Sequence, residues 1–174
     1  MSRFDDCLSH ILKFEGGFVD HPADKGGATN KGITQAVYDA YRKTNRRSVK
    51  FIEDNEVRDI YQSNYWFPAK CAILPIPVDL VIFDSAVNHG VNRSAKLLQE
   101  AVGVTVDGVI GRITMDAVRE MEPDQVAEDI ICSRREFYRR IVDANPEQNV
   151  FLRGWYNRLD LLAKACNLDA EGEI

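Results

Sequence analysis

Residues 78–90 read VDLVIFDSAVNHG, and their apolar side chains fall on every side of a helical wheel. A helix that is apolar all round has to be covered all round, so this stretch predicts the buried central helix of an all-α domain. Asn88 and Gly90 are the residues expected to end it. Inside it, Asp84 and Asn88 stand one turn apart on one face, two polar groups that need hydrogen-bond partners. Two accounts of the pair are open: a network tying neighbouring helices or a loop, and contact with a bound substrate. His89 suits the negative pole at the end of the helix.

On the C-terminal side, Asn92 opens a helix through Leu97, Leu98, Ala101 and Val102 that Gly103 closes. Asp107-Gly108 and Gly111 are turn positions, and 114–121 is a short helix before Pro123. The long helix from Asp124 is expected to carry Val126, Ile130, Phe137 and Ile141 inward, with Arg134, Arg135, Arg139 and Arg140 largely on other faces. After Pro146 the last helix covers 151–165 and contains Gly154, Trp155 and Arg158.

On the N-terminal side, Leu74-Pro75-Ile76-Pro77 is a rigid connector. Before it, a helix starts at Asp54 and runs through Val57, Ile60, Tyr61 and Tyr65 until Pro68. Thr34 caps a helix bearing Val37, Tyr38 and Tyr41. Residues 18–34 are dense in turn formers (Asp20, Pro22, Asp24, Gly26, Gly27, Asn30, Gly32) and suit a small irregular hairpin. The opening helix is read over 5–15, capped by Ser2 or Asp5. The sum is a mainly α fold of about seven or eight helices with one small irregular β-hairpin near the N-terminus.

The 174 residues suit a single compact unit, and 45% hydrophobic with 28% charged residues describes an ordinary globule. A net charge of -5 argues against nucleic acid as a partner, because phosphate binding needs clustered, unopposed cations. The local cluster Arg42, Lys43, Arg46, Arg47 and Lys50 is read as a solvated loop, although it could touch an anionic wall polymer. Cys7, Cys71, Cys132 and Cys166 are far apart with no Cys/His ligand spacing, so neither a disulfide framework nor a metal site is expected. Acids stand where a signal peptide would have its basic region, and no segment approaches a membrane span. Synthesis in the cytoplasm is the expectation, with no stable membrane insertion and a monomeric state.

Glu15 is the anomalous residue of the N-terminal half. Counting back from it in helical steps gives Ile11, Leu8 and Phe4, so a carboxylate takes the last place on an apolar stripe. A carboxylate pushed toward burial at a helix C-terminus tends to hold its proton, which is what a general acid requires. The bland alternative is a side chain that swings to solvent at a fraying helix end.

The string EGGFVDHPADKGGATNKGIT, residues 15–34, resembles the signature of glycoside hydrolase family 108, the N-acetylmuramidase-like endolysins of phages and prophages. Residues 84–114, DSAVNHGVNRSAKLLQEAVGVTVDGVIGRIT, look like the peptidoglycan-binding region of that family, and FLRGWYNRL looks like its closing helix. The resemblance implies a lysozyme-like fold with a catalytic segment over 1–90 and a peptidoglycan-binding segment over 91–170. It implies cleavage of the β-1,4 bond between N-acetylmuramic acid and N-acetylglucosamine, with peptidoglycan glycan strands as partner, no cofactor, and action on the wall after holin-dependent release.

By the same resemblance Glu15 is the general acid, with Asp24 and Thr29 positioning water or stabilising charge. Asp20, Gly27, Asp84 and Asn88 are implied substrate contacts. The sequence departs from the family pattern at Asp20-His21, where Asn-Asp is common, so Asp20 competes with Asp24 for the second catalytic place. Trp155 and Arg158 are read as fixing the last helix to the core, in preference to stacking on sugar. Two rivals stay open: a lytic transglycosylase using the same glutamate, and a non-catalytic wall-binding or export-associated protein.

Overall fold

A computed structural model describes residues 2–20 and 27–168. Among the described residues there are eight α-helices and one two-stranded antiparallel sheet near the N-terminus. The chain divides into two compact units, Met1–Asn64 and Tyr65–Ile174.

In the first unit, α1 spans Arg3–Leu12. Ser2 and Asp5 form a reciprocal capping box that satisfies two of the amide donors a helix start leaves over. Asp5 also accepts from Arg58 Nε at 2.8 Å, which ties α1 to α3 (Asp54–Tyr61). The Ser2 hydroxyl and then Arg58 hold the Asp5 carboxyl down at about 2. Phe4, Cys7, Leu8 and Ile11 form the buried stripe of α1.

That helix stops three residues before Glu15, short of the 5–15 expectation. The amides of Lys13, Phe14 and Glu15 bond to the carbonyls of His10, Ile11 and Leu12, each three residues back. The last turn therefore tightens and rotates Glu15 off the apolar stripe.

The hairpin pairs β1 (Thr29–Asn30) with β2 (Ile33–Thr34), in the register Thr29 with Thr34 and Asn30 with Ile33. Its two-residue turn places Lys31 at φ 49° and Gly32 at φ 73°, the left-handed pair that matches the twist of a tight hairpin. Val19 pairs with Thr29 through two 2.8 Å bonds and adds a short third rung. Thr34 then caps α2 (Gln35–Arg42), its hydroxyl accepting from Val37 N.

In the second unit, α4 (Val78–His89) buries Val78 through Ala86 without a break, as its all-round apolarity requires. Each large aliphatic or aromatic side chain covered this way contributes about 1.5–3 kcal/mol of transfer free energy. Gly90 ends it at φ 82°. Around α4 lie α5 (Val91–Ala101) and α7 (Pro123–Ala144), with α8 (Asn149–Ala165) packed on α7. The short α6 is Arg112–Arg119. Trp66 meets Phe83 of α4 edge to face at 5.2 Å.

The inward face of α7 differs from the expected one. Val126, Ala127, Ile130, Ile131, Arg134 and Tyr138 are buried, so Arg134 points into the core while Phe137 is only half-buried. Cys132 is exposed, and none of the four cysteines is in a disulfide. Among the described residues no helix is long and apolar enough to cross a membrane.

Candidate active site and its neighbouring networks

Glu15 is half-buried, between the end of α1 and the hairpin. The Lys31 amide bonds to the Gly16 carbonyl at 3.2 Å, so the residues just after Glu15 are stitched to the hairpin turn. Gly32 makes the close approach possible. A methyl group there would lie 2.5 Å from Glu15 Oε2 and 2.6 Å from Tyr61 Oη. A Cβ there would force those side-chain ends to shift, and the positive φ independently favours glycine.

Tyr61 is buried on α3 and donates its hydroxyl to the Lys31 carbonyl at 2.9 Å. It was read in the sequence as a core position of a helix. The missed signal is the phenolic oxygen, which needs a polar partner when the ring is buried.

Thr29 sits on β1, and its Oγ1 donates to the Gly27 carbonyl at 3.4 Å. Asp20 is exposed and directly follows Val19, the residue paired with Thr29. Gly27 is exposed at φ 72°. The structure thus gathers Glu15, Asp20, Gly27 and Thr29 on and beside one hairpin, and Asp24 lies outside the described residues.

Asp84 and Asn88 belong to a different setting in the second unit. Asp84 has no exposed surface. Its carboxylate accepts from Arg158 Nε at 2.9 and 3.1 Å and from Arg134 Nη2 at 3.3 Å. Asn88 Nδ2 adds bonds to Asp84 Oδ2 at 3.0 Å and to its carbonyl at 2.7 Å. Burial pushes the Asp84 carboxyl up, and the charges of Arg134 and Arg158 outweigh it, leaving the group below the ordinary carboxylate range. Asp84 therefore offers a ligand no surface, whereas Asn88 is exposed with its amide spent on Asp84. This is a network tying α4, α7 and α8. Next to it, His89 Nε2 lies 3.1 Å from Tyr138 Oη, and burial followed by the Arg134 charge lowers His89 to about 4.

The basic cluster is also less solvated than its composition suggests. Glu56 is buried and accepts from Tyr38 Oη at 2.6 Å, Arg42 Nη1 at 2.6 Å and Arg47 Nη2 at 2.8 Å. Two of the five cations in the cluster thus neutralise a buried carboxylate. Burial opposes ionisation of Glu56, but the hydroxyl, a backbone amide and the two arginines hold it at about 2.

With this geometry in view, residues 8–90 match the family model described as Glycosyl hydrolase 108, and residues 93–160 match one described as Predicted Peptidoglycan domain. The structure of SagA from Brucella abortus is similar at 34% identity and a TM-score of 0.78, covering 98% of both chains. The chain belongs to the glycosyl hydrolase 108 family. No curated protein matches the sequence.

The family segment and the compact units divide the chain differently. The glycosyl hydrolase 108 match runs to residue 90, whereas the first unit closes at Asn64. Helix α4 thus belongs by sequence to the hydrolase segment and by packing to the unit that holds α5, α7 and α8.

Proposed function

We propose that this glycosyl hydrolase 108 member cleaves the β-1,4 bond between N-acetylmuramic acid and N-acetylglucosamine in peptidoglycan, with Glu15 as general acid. The observation that carries the reading is the Glu15 carboxyl set against the Gly32 backbone of the hairpin turn, inside the segment matched by the hydrolase model. The peptidoglycan domain over 93–160 supports the same polymer as substrate.

In this reading Glu15 delivers its proton to the glycosidic oxygen as the bond to the anomeric carbon breaks. Positive charge then grows on the sugar, and a carboxylate or a held water must meet it from the opposite face. Asp20 and Asp24 are the acids of the sequence between Glu15 and Thr29, and the Thr29 hydroxyl on β1 is the group assigned to hold water. The scaffold suits the task because Gly16, Lys31 and Tyr61 join the end of α1, the hairpin turn and α3 through backbone and phenol hydrogen bonds.

Glu15→Gln is the decisive variant, since it keeps the shape and removes the acid. Release of soluble muropeptides from purified sacculi should fall about 10²–10⁴-fold, the usual worth of a positioned general acid. The circular dichroism spectrum should not change. Undiminished lysis would sink the assignment. Mass spectrometry of the products then identifies the acceptor: reducing muramic ends for water, anhydromuramic ends for the sugar's own hydroxyl.

A further inference from the structure

The cations of the 42–50 segment fall into two groups. Arg42 and Arg47 are held by Glu56, and Arg47 also by Glu53. Lys50 is exposed, and among the described residues no carboxylate pairs with it. Its ammonium instead lies 5.7 Å from the ring centre of Phe18 and 6.0 Å from that of Phe51. Both rings are open to solvent, Phe18 at 39% and Phe51 at 60%. An exposed ammonium flanked by two exposed phenyl rings costs hydration at the rings and returns little in an isolated cation–π contact.

This group is fastened to the candidate active site. Phe18 is three residues beyond Glu15 and adjoins Val19, which pairs with Thr29. The buried amide of Asn30, in the next position of β1, donates to the carbonyls of Val49 and Lys50 at 3.1 and 3.2 Å. Gln35 adds a second clamp, accepting from Val49 N at 2.7 Å. The backbone that carries Lys50 and Phe51 is therefore registered to the same hairpin whose turn receives Glu15.

We propose that Lys50, Phe18 and Phe51 form a subsite for the peptide stem of the strand, with the ammonium taking a stem carboxylate and the rings taking its alanyl methyl groups. The proposal rests on the reading of the Glu15 site as peptidoglycan-cleaving. The choice of moiety follows from charge and surface. Along a stem-bearing strand the sugars are neutral, because each lactyl carboxyl is tied up in the amide to the stem. The stem alone combines free carboxylates with small apolar groups. Phenyl rings with a cation between them match that combination, and a chain of net charge -5 needs such a local cation to hold an anionic segment.

The test uses sacculi free of secondary wall polymers, in native form and after carbodiimide coupling to methylamine, which turns stem carboxylates into neutral amides of nearly the same size. Binding is measured by sedimentation with the full-length Glu15→Gln protein, so that strands stay intact. Native sacculi should be bound about three- to fivefold more tightly than amidated ones, the scale of one exposed ion pair. Lys50→Met keeps the aliphatic stem and should abolish that ratio, while Lys43→Met, at another exposed cation of the segment, should leave it. In the lytic protein Lys50→Met should raise KM on native sacculi by the same factor with kcat retained.

A ratio that survives Lys50→Met, or one that Lys43→Met removes equally, overturns the proposal. Absence of lysis in the wild type would strike the Glu15 reading alone, because the sedimentation ratio decides the subsite without turnover.

Discussion

Asp84 and Glu15 are both carboxylates that the hydrophobic pattern carries toward the interior, and their surroundings differ in kind. Asp84 is completely covered, and its charge is met by two guanidinium groups. Glu15 keeps part of its surface open and lies against the glycine backbone of a turn whose Lys31 carbonyl accepts the Tyr61 hydroxyl. Two arginines fix a carboxylate as a permanent anion and make it a structural pin. Contact with the backbone of a turn places a carboxyl without covering it. Burial of an acid is thus weak evidence of function until its neighbours are known.

The largest test of this contrast is Asp84→Ala. It leaves Arg134, wholly buried, and Arg158, nearly so, without the anion between them. Breaking a buried pair by removing one partner costs about 3–5 kcal/mol. Urea unfolding should show that loss through a lower midpoint. A cost under about 1 kcal/mol would mean that the arginines are satisfied elsewhere, and the pin would have to be assigned to packing alone.

Gly32→Ala probes the other side. The left-handed φ of 73° costs an alanine about 1–2 kcal/mol, and the new methyl would collide with Glu15 Oε2. Gly103→Ala is the matching control, since Gly103 has φ 68° with nothing within 4 Å of the added carbon. Gly32→Ala should lose at least as much stability as Gly103→Ala in thermal melts, because its methyl also meets Tyr61 Oη. Lysis should drop about 10²-fold for Gly32→Ala alone, the scale of a displaced catalytic group. Equal lytic losses would show that backbone strain, and not the Glu15 contact, governs activity.

The same contrast explains what could be read in advance. The central helix was legible because covering a segment apolar on all sides allows one solution, and Thr34 and Gly90 mark ends that no competing interaction overrides. Arg134 was not legible as a core residue. It stands four positions after Ile130, on the buried stripe, but a cation there makes sense only with Asp84, fifty positions earlier in the chain. Trp155 and Arg158 were read correctly in kind, since Trp155 stacks on Tyr138 at 4.8 Å and Arg158 holds Asp84. At the candidate site the sequence pointed to Glu15 and to the hairpin. It did not reveal the tightened helix end, the Gly32 contact or the partner of the Tyr61 hydroxyl, because each depends on how α1, the turn and α3 meet.

The smallest expected effects lie in the pH dependence of stability, where the two units carry different titrating groups. In the second unit His89 is lowered from 6.5 to about 4, so between those values the unfolded chain takes a proton that the folded one refuses. Its contribution is complete above pH 6.5 and is lost as pH falls toward 4. In the first unit Glu56 is lowered from 4.5 to about 2, so its contribution is complete above pH 4.5 and is lost as pH falls toward 2. Melting temperature followed from pH 7 to 2 should decline in two overlapping stages. His89→Gln should flatten the upper stage and leave the lower, whereas Glu56→Gln should leave the upper stage and only reduce the lower, which Asp5 and Asp84 share. If His89→Gln left the curve between pH 6.5 and 4 unchanged, the histidine would already be proton-accessible in the fold, and Arg134 would not be close enough to repel its charge.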